Sequence, residues 1–197
     1  MKEKDLIIRN EIISDYDEVE KMVRSSFLNI YREGALEHYL LHMIRNDKSF
    51  IKELDFVLLK NNEIIGQIVF AKSFIKTNDN KQIEVATFGP LCIRNEYKRK
   101  GYGKYLLDYS MNKAKELGIK ALFIEGNYNF YKHCGFEISK NIGIIYEDDP
   151  DTNYFLVKEL EKGFLSNIKG TYKDPDIYLK ACNDEKGFLE FDKKFVN

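Results

Sequence analysis

The 197-residue sequence predicts a single-domain α/β fold, with a mixed, mostly antiparallel sheet flanked by helices. Three observations carry that expectation. Short β-branched and aromatic runs alternate with amphipathic helical stripes. A hairpin signal, Asn61-Asn62, joins two of the runs. A cationic glycine turn, Lys98-Arg99-Lys100-Gly101-Tyr102-Gly103-Lys104, stands between a strand and the clearest helix.

Leu6 to Arg9 reads as the first strand. Ser14 is placed to cap a helix, with Asp17 at the capping-box position and Val19, Met22, Val23 and Ser26 along one face. Ala35 to Arg45 gives a second helix, striped by Leu36, Tyr39, Leu40, Met43 and Ile44. Asp55 to Lys60 and Glu63 to Ser73 are strands, and the intervening asparagines tolerate left-handed dihedrals. The polar loop Thr77 to Lys81 leads into a strand that ends near Ile93.

Leu106, Leu107, Ser110, Met111, Ala114 and Leu117 recur at helical spacing, and Gly118 supplies the stop. Leu122 to Ile124, a short helical element around Phe130 to Cys134, a strand near Phe136 and a last strand from Tyr154 to Glu159 complete the pattern. The expected core spans about residues 5–160. Residues 161–197 are less patterned and read as a C-terminal extension packing on the same domain.

A net charge of −1 gives no support for nucleic-acid binding. No apolar run reaches the roughly 18 residues of a membrane helix. Three scattered cysteines suit a reducing compartment, so a cytoplasmic location is expected. His38 and His42 stand four apart, yet no third ligand and no HExxH glutamate accompany them, so no metal is expected.

The glycine turn opens a helix, where unpaired N–H groups and a partial positive charge favour an anion such as phosphate. Walker A is excluded because Tyr105 follows Lys104 where a hydroxyl is needed. The dinucleotide fingerprint is excluded because position 106 is leucine, not glycine. Upstream, Gly89-Pro90 interrupts a strand-like run and implies a bulge or splay, since proline cannot donate to a ladder.

Phe88-Gly89-Pro90-Leu91-Cys92-Ile93, the basic turn, the helix, Ala121-Leu122-Phe123-Ile124 and Asn129-Phe130-Tyr131-Lys132-His133-Cys134-Gly135-Phe136 together resemble the GNAT superfamily of acyl-CoA-dependent N-acyltransferases. The likeness covers about residues 83–138, with Lys98 where that family usually has glutamine or arginine. It implies acetyl-CoA as co-substrate and a sheet splayed at its central strands, where the pantetheine arm would lie. Backbone groups of Leu91, Cys92 and Ile93 would meet that arm and the thioester carbonyl. Lys98, Arg99, Lys100, Gly101, Tyr102, Gly103 and Lys104 would hold the pyrophosphate and outer phosphates.

The implied reaction is direct transfer of acetyl to a primary amine in a ternary complex. The family's Phe-Tyr-x-x-x-Gly-Phe element places Tyr131 as the acid that serves the departing thiolate. Glu84 and Glu125 are both candidates for the base that deprotonates the amine. Asn127 either bonds the cofactor arm or serves a turn. Cys92 falls beside the thioester, but without a base partner it reads as a small buried residue. The Glu147-Asp148-Asp149-Pro150-Asp151 cluster either attracts a cationic acceptor or is a solvated loop. The acceptor, a small molecule or a peptide, has no decodable motif, and a homodimer is an open expectation from similar proteins. A non-catalytic acyl-CoA-binding regulatory module on the same fold is the alternative function.

Overall fold

The computed structural model describes residues 6–30 and 34–195. The chain forms two compact units. The first comprises residues up to 70, 89–110 and from 176 onward; the second comprises 71–88 and 111–175. Two long strands, β3 (Glu63–Thr77) and β4 (Gln82–Ile93), and the helix α3 (Tyr102–Glu116) each contribute residues to both.

In the first unit, β1 (Leu6–Asn10) and β2 (Phe56–Lys60) pair antiparallel from Leu6↔Lys60 to Asn10↔Phe56. β2 pairs antiparallel with the start of β3, with a register shift between Leu58 and Leu59. Asn61 and Asn62 make the connection with φ of 51° and 65°, the left-handed geometry expected of this pair. Gly66 permits a close approach of β3 to the end of β4. A Cβ there would stand 2.5 Å from Ile93 Cδ1 and 3.2 Å from the Cys92 carbonyl oxygen.

Helix α1 (Tyr16–Phe27) buries Val19, Met22, Val23 and Ser26, the face expected from its spacing. Its start differs from expectation. Residues Ile13–Asp15 form a 3-10 turn, and Asp15 rather than Ser14 organises it. The Asp15 carboxylate accepts the Ile12 N–H at 3.0 Å and pairs with Arg9 at 2.5 Å, which holds its pKa below the ordinary carboxylate range.

Helix α2 (Glu37–Ile44) buries His38, Tyr39, Leu41 and Ile44. His38 and Leu41 lie outside the stripe read from the sequence because the helix is covered on a second side. There, beyond α5 (Asp176–Asn183), α6 (Glu185–Asp192) brings Phe188 and Phe191, and the following 3-10 turn brings Phe195, around the His38 ring. Burial lowers the His38 pKa to about 4, so the ring is neutral at pH 7, with Nε2 2.9 Å from Asp192. His42 instead contacts Glu20 at 3.0 Å. The two imidazoles thus have separate partners, and no group of three metal-ligating side chains occurs among the described residues.

A buried ionic group ties α1, α2 and the chain after β1 together. Arg45 donates to both oxygens of Glu11, at 2.9 and 2.7 Å, and to Glu20 at 2.6 Å, while its guanidinium lies 3.8 Å from the Tyr16 ring centroid. All three side chains are nearly inaccessible to solvent. Burial, then the neighbouring Glu11 charge, pushes Asp55 far above the usual aspartate range, so Asp55 is the neutral member of the set.

The second unit contains the ends of β3 and β4 with β5 (Ala121–Glu125), β6 (Glu137–Ile138), β7 (Ile144–Tyr146), β8 (Phe155–Glu159) and β9 (Gly170–Lys173). β4 pairs parallel with β5 at Ala86↔Leu122 and Thr87↔Phe123. β8 pairs antiparallel with β5 and with β6. β9 lies antiparallel to β3 and parallel to β7. Tyr154 to Glu159 is therefore not the last strand. β9 follows it, in a stretch whose short Gly-Thr-Tyr-Lys run gave no periodic signal. Its entry is tight, since a Cβ on Gly170 would stand 2.2 Å from the Lys76 carbonyl oxygen.

Replacing Arg45 with alanine would leave Glu11 and Glu20 buried without their cation. The expected loss of stability is about 3–5 kcal/mol, read from the urea midpoint. A loss below about 1 kcal/mol would mean that the carboxylates re-solvate freely.

Candidate active site

The exit of β4 is built from bonds within the first unit. The Arg94 N–H donates to the Ile65 carbonyl at 2.8 Å, its Nε donates to Ile64 O at 2.7 Å, and Nη2 pairs with Glu18 at 2.6 Å. Asn95–Tyr97 then form a 3-10 turn, with Asn95 Nδ2 donating to Ser25 O at 3.3 Å. Lys98 Nζ donates to Ser26 O at 3.1 Å, placing a cation at the C-terminal end of α1, where the helix dipole favours it.

The chain next passes through two left-handed residues, Arg99 at φ 59° and Gly101 at φ 88°. Nothing lies within 4 Å of a Cβ placed on Gly101, so glycine is required there by the dihedral and not by crowding. Helix α3 starts at Tyr102, and Tyr105 N–H donates back to Gly101 O at 3.0 Å. The first N–H groups of α3 have no intrahelical acceptor and converge on the space before the helix. Arg99, Lys100 and Lys104 are exposed around it. Lys100 Nζ reaches the Glu96 carbonyl at 2.9 Å and Lys104 pairs with Asp108 at 2.5 Å, exposed contacts that an anion can replace at small cost. Tyr102 is buried, and its hydroxyl accepts from Lys60 at 2.8 Å.

Leu91, Cys92 and Ile93 form the last residues of β4. The Cys92 side chain packs in the core with Val19, Met22, Val23 and Ile177. Burial pushes its thiol up to about 12, which removes it as a nucleophile and agrees with its reading as a small core residue. Tyr178 Oη donates to the Gly89 carbonyl at 3.4 Å.

The remaining candidates belong to the second unit. Glu84 is exposed on β4. Asn127 follows β5 and Gly126, and its side chain accepts the Asn129 N–H at 2.9 Å, capping the short helix α4 (Tyr128–Tyr131). Its observed work is therefore the turn. Tyr131 ends α4 and is buried among Phe88, Phe130 and Phe136, with centroid separations of 5.9, 4.9 and 5.4 Å. Its ring lies against Gly126, where a Cβ would stand 2.3 Å from Cε2.

Glu125 ends β5, and as a residue it reaches the surface. Its Oε1, however, lies 2.9 Å from the hydroxyl of buried Tyr146, and that hydroxyl lies 2.6 Å from Asp174 Oδ2. Local burial, followed by the Asp174 charge, raises the Glu125 pKa. Sequence reasoning did not single out Tyr146 or Asp174. Ile144-Ile145-Tyr146 carried a short strand signal, but nothing in the sequence ties it to Glu125.

A strand, a cationic left-handed turn and a helix in this order form an arrangement suited to an anion such as a phosphate. Residues 52–138 match the family model described as an acetyltransferase (GNAT) domain. The uncharacterized N-acetyltransferase YhbS of Escherichia coli strain K12 is 23% identical over 165 residues, covering 84% of this chain and 93% of its own. The crystal structure of the E. coli protein in complex with CoA superposes with a TM-score of 0.78 at 21% identity, over 89% of this chain and 92% of that one. A GNAT family acetyltransferase from Brucella melitensis, in complex with acetyl-CoA, gives 0.70 at 16% identity, over 88% and 97%. The resemblance and the mixed, mostly antiparallel fold expected from the sequence are borne out. No helix among the described residues is long and apolar enough to cross a membrane.

Gly126→Ala is expected to displace the Tyr131 ring and to lower stability by about 1–3 kcal/mol, the usual cost of overpacking. The change is measurable as a lower urea midpoint together with an altered near-ultraviolet tyrosine signal. An unchanged midpoint and spectrum would mean that the ring adjusts without cost.

Proposed function

We propose that this protein transfers the acetyl group of acetyl-CoA to a primary amine by direct attack, with both substrates bound together. The observation that carries the reading is the turn 98–104. Its left-handed residues, free helical N–H groups and exposed cations suit the pyrophosphate and outer phosphates of CoA. The CoA and acetyl-CoA complexes of the E. coli and Brucella proteins support the same co-substrate.

In this reading Gly101, Tyr102 and Gly103 offer backbone to the pyrophosphate, and Lys98, Arg99, Lys100 and Lys104 supply charge. Main-chain groups of Leu91, Cys92 and Ile93 receive the pantetheine amides. An N–H there stabilises the oxygen of the thioester as charge develops on it. Tyr131 donates a proton to the departing thiolate, since a phenol remains protonated at neutral pH and can donate.

The acceptor ammonium must lose a proton before its lone pair can attack. Glu125 suits that task better than Glu84. Its carboxyl group has fixed partners and a raised proton affinity, whereas Glu84 is an exposed strand residue. The acceptor is an amine, either a small molecule or the end or side chain of a peptide.

Isothermal titration should give micromolar affinity for acetyl-CoA and CoA. Gly101→Val, forced into a dihedral that β-branched residues avoid, should weaken it at least tenfold. No detectable binding by the native protein would remove the reading. A thiol-release assay across an amine panel then tests turnover, and binding without turnover on any amine would favour a regulatory acyl-CoA module. With an accepted amine, Tyr131→Phe should lower kcat by 10- to 100-fold with little change in KM, in the range of general-acid contributions of about 10²-fold and above. An unchanged kcat across the pH range would exclude Tyr131 as the acid.

A further inference from the structure

The row Glu125–Tyr146–Asp174 lies wholly within the second unit and contains more acceptors than protons. Tyr146 Oη carries a single hydrogen, yet carboxylate oxygens lie on both sides of it, at 2.9 Å from Glu125 and 2.6 Å from Asp174. The hydroxyl is the donor toward both oxygens, and one hydrogen cannot serve two carboxylates fully at once, so the two carboxyls compete for it. Burial and the Asp174 charge favour the protonated form of Glu125, against the Tyr146 hydroxyl, which favours the ionised form.

The remaining neighbours add to the effect of Asp174. Asp174 accepts a second hydroxyl, from Tyr172 at 3.2 Å, and these donors favour its charged form against the burial that raises its pKa. Asp148 adds negative charge toward both carboxyls, and Tyr154, whose hydroxyl is bound to Asp149 at 2.8 Å, also faces Glu125. Rotation cannot relieve the row cheaply. The Tyr146 ring is stacked on Phe155 at 4.4 Å and 12°, and Phe155 and Tyr172 in turn stack on Phe123 at 5.5 and 4.8 Å.

We propose that Asp174 is a positioning residue that raises the proton affinity of Glu125, with Tyr146 holding the two carboxyls in one row, so that the Glu125 carboxylate takes the proton of the incoming ammonium more readily than an exposed glutamate would. The inference rests on the reading of Glu125 as the base. In the step itself, an N–H bond of the ammonium breaks and its electron pair stays on nitrogen as the nucleophile. An O–H bond forms on Glu125, within reach of the Asp174 charge, and the proton later leaves to solvent.

Carbon-13 NMR of protein labelled at the glutamate carboxyl carbon tests this without knowledge of the acceptor, with Glu125→Gln identifying the resonance. In the native protein Glu125 should titrate above the exposed glutamates. In Asp174→Asn the midpoint should fall toward theirs, because the change removes a negative charge that favours the protonated carboxyl. In Tyr146→Phe, which keeps the stacked ring and removes only the hydroxyl, it should not fall, because the change removes a donor that favours the ionised form. With an accepted amine, the acid limb of kcat/KM should move to lower pH in Asp174→Asn, whereas a merely structural loss would depress the rate equally at every pH. A Glu125 midpoint unmoved in folded Asp174→Asn would overturn the proposal. Turnover retained by Glu125→Gln would instead overturn the base assignment itself.

Discussion

Arg94 is the constraint on which the cationic turn of the first unit depends. Its N–H and Nε are held by two successive carbonyls of β3, and its other end is held by Glu18 of α1. Three bonds at one residue fix where β4 ends, and therefore where the chain must turn. Gly66 belongs to the same constraint, since a side chain there would collide with Cys92 and Ile93. Given that fixed exit, two left-handed residues suffice to bring the first N–H groups of α3 onto one small volume. The cations around the turn add charge to a geometry that the main chain already provides.

The second unit solves a different problem by different means. Its chemistry depends on side-chain hydroxyls and carboxyls held against a slab of aromatic rings. Phe123, Phe155, Tyr146 and Tyr172 bury large apolar faces, which stabilises the unit. Two of the four rings carry hydroxyls, and both of these end on Asp174. The same side chains thus supply cohesion and orient the polar row, so the row inherits the rigidity of the core.

The cationic turn, its helix and the first hairpin were legible in the sequence because their determinants are local. A left-handed glycine, a helix stripe ending at Gly118 and an asparagine pair in a hairpin each act within a few residues, and each appears where the sequence placed it. Local choices fail where two groups compete. Ser14 and Asp15 both suit a helix start, and the Arg9 guanidinium across the turn selects Asp15. Contacts from far along the chain are invisible to periodicity. His38 reads as a polar helix residue until α6 covers it. Glu125 gains its partners from positions 21 and 28 residues beyond Glu125 and Tyr146 respectively.

This difference in range explains why the co-substrate can be argued more fully than the acceptor. CoA offers a diphosphate, a constant charged group that main-chain N–H groups can recognise whatever the neighbouring side chains. An amine acceptor offers one ammonium and a variable remainder, and must be recognised by side chains assembled from distant segments. Under the base assignment proposed above, the Glu125 row would be such an assembly, built from the ends of β5 and β7 and the residue after β9. Its acidity would give that site a reason to favour a cation. A charged ammonium would reduce the repulsion among Glu125, Asp148 and Asp174 as it arrives, and that advantage would end once its proton had moved to Glu125. Attraction of the substrate and removal of its proton would then be two uses of the same negative charge.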